Sequence, residues 1–283
     1  MLTPKILNKQ FADIEKEFVD FMIEHFGGWK IWADASQRVA DRQEVREDDL
    51  PPAFRTECKI MKAIVEMMHL GTFDWNNPKL SEMFKEMAES PFYQVFGKTL
   101  ADISLRIAEL AGVKTFIEIG AGKANLTSIM LERMKQSPVS LPVVTTDVHE
   151  VVLENISRLG AEYPGARLET HLWNVSEPPP ESLKKTVQKP ALIYERYTLN
   201  YANLSAVKNM AQVADILVLG DWFNFTGELF PYDEVFQKIG AMPLFYKDIK
   251  PILDECFPNQ YIFDKRATDT INLPTVSLLI CWK

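Results

Sequence analysis

The sequence predicts an α/β fold with seven strands in one mostly parallel sheet, closed by an antiparallel C-terminal hairpin and preceded by an all-helical region. Three observations carry that prediction. Residues 1 to about 112 show helical periodicity throughout. From Val113 the rhythm changes to strand, helix, strand, with β-type apolar runs at 114–119, 142–147, 167–174, 190–196, 214–220, 259–267 and 274–282. Helical stretches separate most of these runs, as expected of a parallel sheet covered on both faces. The last two runs meet through Asn272-Leu273-Pro274 with no helix between them, so they are expected to pair antiparallel.

In the helical region, Phe11, Ile14, Phe18, Phe21, Met22, His25 and Phe26 fall on one helix face, and Gly27-Gly28 ends the run. His25 on this apolar stripe reads as a packed histidine rather than a ligand. Residues 38–49 are dense in both charges and read as a solvated helix face or a loop. A second helix runs from 55 to 70 through Cys58, Ile60, Met61, Ile64, Val65 and Met68, closed by Gly71. Asn77-Pro78 opens a third, with Asn as cap, Pro in the first turn and Leu80, Met83, Phe84 and Met87 on its apolar side. Ser90-Pro91 opens a fourth, which Gly112 stops. The chain thus divides into a helical domain at 1–89 and an α/β domain at 90–283.

The α/β part begins with Phe116-Ile117-Glu118-Ile119, turns through Gly120-Ala121-Gly122 and leaves as an amphipathic helix. A strand that passes through glycines into a helix N-terminus brings backbone, and unpaired N–H groups, close to a ligand. The register discriminates between cofactors. A dinucleotide fingerprint needs a small residue at position 125, which is Asn125; the small residue is Ala124, and an acid, Glu118, stands two before the first glycine. The second strand ends in Asp147, a little over twenty residues beyond the loop. A carboxylate there can accept from both hydroxyls of a ribose; Asp is also a common helix N-cap.

Composition sets further bounds. The net charge of −8 argues against nucleic acid, whose phosphates require basic surface. Three cysteines, Cys58, Cys256 and Cys281, are far apart and make neither a metal spacing nor a disulfide framework, which points to a reducing cytoplasm. The first residues do not read as a secretory signal, and no run approaches the length of a membrane span.

The pattern Glu118-x-Gly120-x-Gly122-x-Ala124, with Asp147 beyond it, resembles the nucleotide loop of the class I S-adenosylmethionine-dependent methyltransferases. The resemblance covers about 113–283 and lies more in the order of parts than in any single motif; it implies a Rossmann-like sheet and S-adenosyl-L-methionine as cofactor. It places Glu118 beneath the loop near the methionyl amino group, Gly120, Ala121 and Gly122 against the cofactor, Asp147 on the ribose and Val148 against the adenine. Asn174 and Val175 end the third strand where the family usually carries Asp and a small apolar residue at the adenine; Asn174 could equally be a turn residue. Tyr93 is the candidate for a hydroxyl on the methionyl carboxylate, with an anchoring role beside Phe92 and Phe96 as the alternative.

The segment 193–201 would lie over the methyl group, making Glu195 both a cofactor-contacting and a catalytic candidate, with Tyr197 beside it; an internal ion pair between Glu195 and Arg196 is the plainer reading. Asp221, followed by Trp222, Phe223 and Phe225, is the third catalytic candidate, or a turn residue. If the acceptor is a hydroxyl, a base must take its proton, and Glu195, Asp221 and then His149 are the candidates. No metal site is expected. The implied activity is methyl transfer to oxygen or nitrogen of a small molecule, with the N-terminal helices covering the strand ends and shaping the acceptor pocket. Two rivals remain: a nicotinamide oxidoreductase, disfavoured by Asn125 and the terminal hairpin, and a non-catalytic cofactor-binding module.

Overall fold

The computed structural model describes residues 2–74, 77–229, 231–273 and 275–283. Pro274, expected to begin the last strand, lies outside them, as do the side chains of Leu80 and Phe84. The helical region contains α1 (Pro4–Phe26), α2 (Trp29–Ala40), α3 (Arg55–His69), α4 (Pro78–Glu89) and α5 (Pro91–Ala111). The expected stops and starts do local work. Asn77 caps α4 by accepting the Lys79 N–H at 3.0 Å, and Gly112 ends α5 at φ 64° in the left-handed region.

The α/β part runs β1 (Thr115–Ile119), α6 (Asn125–Lys135), β2 (Val143–Asp147), α7 (Glu150–Leu159), β3 (Leu168–Leu172), α8 (Glu181–Thr186) and β4 (Ala191–Arg196). It continues through α9 (Ser205–Val213), β5 (Ile216–Asn224), α10 (Pro231–Gln237), β6 (Leu244–Phe245), α11 (Tyr246–Cys256), β7 (Asn259–Ile262), α12 (Lys265–Ile271) and β8 (Thr275–Trp282). Strand order is β3-β2-β1-β4-β5-β8-β7, and the two-residue β6 pairs in parallel with the end of β5 to make an eighth strand. Strands β1 to β5 are parallel; β8 is antiparallel to both β5 and β7.

Helix α2 fills residues 29–40, which were given no helix of their own, and the charged stretch beyond it is turn and loop with a short 3-10 turn at Glu47–Asp49, the loop alternative. One expectation needs correction. At the other end, β7 stops at Ile262 and α12 separates it from β8, so the two strands are not directly joined, although they do pair antiparallel from Asn259↔Trp282 to Ile262↔Leu279. The cause is Asp264. Fully buried, it accepts hydrogen bonds from the Ser277 N–H and hydroxyl, both at 2.7 Å, and from the Leu278 N–H at 3.2 Å. These bonds turn the chain out of the sheet, and Ala267 is buried from a helix rather than from a continuing strand.

Strand alternation gives the sheet two apolar faces. One packs Phe116, Tyr194 and Leu278 against α1, α5, α6 and α12; the other packs Ile117, Ile193 and Leu217 against α8, α9 and α11. Helix α1 is integral to the first layer. Its Leu7, Phe11, Phe18 and Met22 are at most 1% exposed, and Phe11 and Phe18 lie 5.9 and 6.0 Å from the Phe263 ring. Each such side chain contributes about 2 kcal/mol by burial. A separate cluster joins α2, α3 and α10 through Ala35, Val39, Ile60, Ile64, Val235 and Ile239.

Candidate active site

Strand β1 lies between β2 and β4, and the chain leaves it in opposite directions to reach them. Such a switch point opens a crevice at the carboxyl ends of the strands. The glycine loop sits at its lip, with Gly120, Gly122 and Ala124 all left-handed at φ 63°, 52° and 61°. Only glycine adopts this without strain, so Ala124 carries a cost that Gly120 and Gly122 do not. The two glycines face different surroundings. A Cβ on Gly120 would fall 2.4 Å from the Thr198 hydroxyl, whereas one on Gly122 would meet only the Gly120 carbonyl oxygen, at 3.9 Å. Gly120 is thus needed for the close approach of Thr198, whose hydroxyl donates to the Ile119 carbonyl at 3.0 Å and ties β4's exit to β1.

Asp147 reaches this loop directly. One carboxylate oxygen accepts the Gly122 N–H and the other the His149 N–H, each at 3.0 Å. It does not cap α7, whose N-cap position is His149. Beside it Val148 is an apolar side chain that is 52% exposed. Glu118 lies beneath the loop, fully buried, accepting from the Thr127 hydroxyl at 2.7 Å and the Tyr194 hydroxyl at 3.1 Å. Burial raises its pKa to about 7, opposed by those two hydrogen bonds. The Asn174 side-chain oxygen accepts the Ser176 N–H at 3.1 Å, so it is engaged in a turn. Val175 and Glu195 share an apolar nook with Ile119, Thr198, Leu199 and Met210.

The end of β4 separates neighbours that the sequence places together. Successive strand residues point to opposite faces, so Glu195 and Arg196 form no ion pair. Glu195 accepts the Thr198 N–H at 2.9 Å through one oxygen; its other oxygen is buried without a partner. Asp221 on β5 accepts the Trp222 N–H at 2.8 Å and the Asn200 N–H at 3.2 Å. Burial, then the Asp221 charge, push the Glu195 pKa well above the usual carboxylate range, and burial raises Asp221 to about 7. His149 follows β2, which lies two strands from β4 and three from β5, about 10 Å from Glu195's strand and about 14 Å from Asp221's at usual strand spacing.

Tyr197 is held at φ 57° and half-buried, with its hydroxyl buried and unpartnered. It packs 5.4 Å from Tyr93, 5.7 Å from Phe96 and 6.2 Å from Trp222. Desolvation raises both tyrosine pKa values far above their usual range. The aromatics after Asp221 are not brought together: Trp222 joins this cluster, Phe223 enters the opposite core, and Phe225 stacks on Tyr246 at 4.3 Å. Phe225 instead helps line a groove of about 390 Å³ with Trp29, Lys265 and Val276, farther along β5. His25 is packed as expected, stacked on Phe21 and Phe92, and burial lowers its pKa to about 4.

Two residues at the site, Glu57 and Thr198, were not singled out from the sequence, and a third, Arg196, was given no role. Glu57 on α3 has one buried, unpartnered carboxyl oxygen and influences Tyr93 and Tyr197 electrostatically. Its spacing to Ile60, Met61 and Ile64 marks it as an acid on an apolar helix face, which is the signal that could have found it. Thr198 carries no local signal. Arg196 stood out in the sequence as one of an unusually polar set at the exit of β4, with Glu195, Tyr197, Asn200 and Tyr201, but without a role of its own. Among the described residues no group of three or more His, Cys, Asp or Glu could hold a metal ion.

No family model and no curated protein matches the chain. Its structure does match solved ones. The CMeT domain of the citrinin polyketide synthase aligns with TM-score 0.63 and 15% identity, covering 81% of this chain and 65% of that one. The DszA carbon methyltransferase aligns with TM-score 0.65 and 12% identity over 82% of this chain and 67% of that one, so the chain spans about two thirds of each. The CurJ carbon methyltransferase aligns over 100% of this chain and 99% of that one, with TM-score 0.60 and 12% identity. Strand order, glycine loop and these alignments together give the chain the fold of the class I S-adenosylmethionine-dependent methyltransferases.

Proposed function

We propose that the chain is an enzyme that transfers the methyl group of S-adenosylmethionine to a small-molecule acceptor. The observation that carries this reading is Asp147 bonded to the Gly122 N–H at the β1–β4 switch point, which sets a ribose-accepting carboxylate and an open glycine backbone side by side. The residues present fit the cofactor. The space above Gly122 is open, Val148 offers an exposed apolar surface to adenine, and Glu195 holds a buried carboxyl oxygen without a partner next to Val175. The sulfonium supplies the driving force when bound, so the chain's own task is alignment and proton handling.

Asp221 is the group we assign to the acceptor's proton. Its pKa of about 7 suits a general base at neutral pH, and the neighbouring Glu195 is raised as well, by burial and then by the Asp221 charge. Tyr197 and Trp222 wall the acceptor side, and the helical region covers it. Oxygen and nitrogen acceptors were expected from the sequence; the carbon methyltransferases among the structural matches add an acidic carbon, which also requires a base. The net charge of −8 favours acceptors other than nucleic acid. Incubation with methyl-labelled cofactor and fractionated small-molecule extract tests the proposal: a labelled product dependent on Asp221 supports it, and label confined to unreacted cofactor across all fractions refutes it.

A further inference from the structure

The groups on the acceptor side of the site are closed off. Asp221 and Glu195 are each 1% exposed, and atoms of Glu57, Tyr197 and Asn200 lie buried without partners. An acceptor reaches Asp221 only if one wall moves aside. One wall has a core of its own. Val39 of α2, Ile60 and Ile64 of α3, and Val235 and Ile239 of α10 form an apolar cluster apart from both faces of the sheet, with Met87 of α4 packed against it. The ion pairs Lys59–Glu86 at 3.2 Å and Lys62–Glu47 at 3.4 Å lie inside the same unit. It is assembled from two stretches far apart in sequence, 29–89 and 231–239, whereas α1 is buried with the sheet.

The unit is seated on the rest of the molecule by an aromatic plug. Phe54, just before α3, enters the sheet-side core 5.5 Å from Phe26, and Trp32 stacks on it at 5.9 Å. One turn along α3 stands Glu57, close enough to Tyr93 and Tyr197 to act on them electrostatically, with one buried oxygen unpartnered. A polar atom buried without a partner opposes closure, because water would satisfy it. The chain passes between unit and body at Gly27-Gly28, Ser90, Gly227 and Gly240. Gly227 and Gly240 have φ 78° and 97°, and a Cβ on Gly240 would touch nothing, so backbone shape rather than room calls for glycine there. A few residues at element ends that absorb a change in φ and ψ are what a hinge requires.

From this construction we infer that α2, α3, α4 and α10 move as one body, a lid that swings away from Tyr197 and Asp221 to admit the acceptor and then closes over it. The admitting role rests on the reading of Asp221 given above; the motion does not. The moving body is not the helical region as a whole: α1 stays with the sheet, and α10, inserted between β5 and β6, travels with the lid. Closure brings Glu57 to the site, where a polar group of the acceptor can partner the oxygen that is unmatched when the lid shuts on nothing. A bound acceptor favours the closed form by that difference.

Pulsed spin–spin distance measurements on the full chain test this, with Cys256→Ser removing the half-buried thiol and the buried Cys58 and Cys281 left in place. Labels go on exposed positions through Lys85→Cys on α4, Glu234→Cys on α10, Glu109→Cys on α5 and Lys185→Cys on α8. The pair within the lid, 85 with 234, and the pair within the body, 109 with 185, should each give a single peak. The pairs joining 85 or 234 to 185 should each give two, one at the distance of the present structure and one displaced from it. Glu57→Leu, which removes the unpartnered oxygen, should cut the displaced fraction by roughly fivefold or more. A single peak at the structural distance in both lid-to-body pairs, or a displaced peak for 85 without one for 234, overturns the lid. A displaced fraction unchanged in Glu57→Leu overturns the part given to Glu57. Should Glu57→Leu fail to fold, the distances measured without it still decide whether the lid moves. These measurements contain no cofactor, so a chain that moves but binds no S-adenosylhomocysteine in calorimetry loses the admitting role and keeps the motion.

Discussion

Glu57 offers a sharp test of how the helical region meets the sheet. Its carboxyl is enclosed between α3 and the Tyr93–Tyr197 cluster, with one oxygen unpartnered. Burial raises its pKa from 4.5 to about 7, offset in part by a hydrogen bond from its own backbone N–H. For an acid raised in the folded state, the unfolded chain releases the proton first. The associated stability is therefore complete below pH 4.5 and is lost as pH rises towards 7. At 1.36 kcal/mol per pH unit the loss amounts to about 3 kcal/mol. Glu57→Gln mimics the protonated acid, so it should change stability little at pH 5 and raise it by about 3 kcal/mol at pH 8. Urea denaturation at the two pH values measures both. An equal effect at pH 5 and pH 8 would refute the argument, because it would mean that Glu57 reaches water in the folded state.

The remaining predictions concern the site. Gly122→Ala should leave the fold intact, at a cost of about 1–2 kcal/mol for a left-handed alanine, while weakening cofactor binding measured by calorimetry, because its methyl enters the open face. Gly120→Val should instead melt the protein at a markedly lower temperature, since its side chain would displace Thr198 from β1; a native melting temperature would contradict that packing. Asp221→Asn should lower kcat by roughly 10²- to 10⁴-fold and remove a rise in kcat/KM through pH 7 seen in the unmodified enzyme; a surviving pH profile would move the base elsewhere. Deletion of residues 1–88 should give insoluble protein, because it uncovers the sheet face that Leu7, Phe11, Phe18 and Met22 bury; a soluble, monodisperse truncation on gel filtration would show the helices to be separable.

What was legible in the sequence followed from local rules. The run from Phe116 to Gly122 names its own strand, turn and helix, because buried parallel strands are apolar throughout and left-handed turns take glycine. Asp147 stood out because it ends a buried strand a little over twenty residues beyond the glycines, and its carboxylate does reach that loop, at the Gly122 N–H. The misses were tertiary. Asp264 looks like any residue in an apolar run, and only its bonds to Ser277 and Leu278 turn the chain into α12. Helix α2 buries only Ala35, Ser36 and Val39, too short a stripe to stand out beside its charges. Arg196 and Glu195 read as a pair in sequence and part in space by the alternation of β4, which leaves each with a different role.

The measurement that tests the central claim most directly is calorimetric titration of the intact chain with S-adenosylhomocysteine, with NADH as control. The account predicts saturable binding of the first, no comparable binding of the second, and a loss of about 1–3 kcal/mol in Asp147→Ala as ribose hydroxyls lose their acceptor. Tight binding of NADH without S-adenosylhomocysteine, or an Asp147→Ala protein of unchanged affinity, would contradict it.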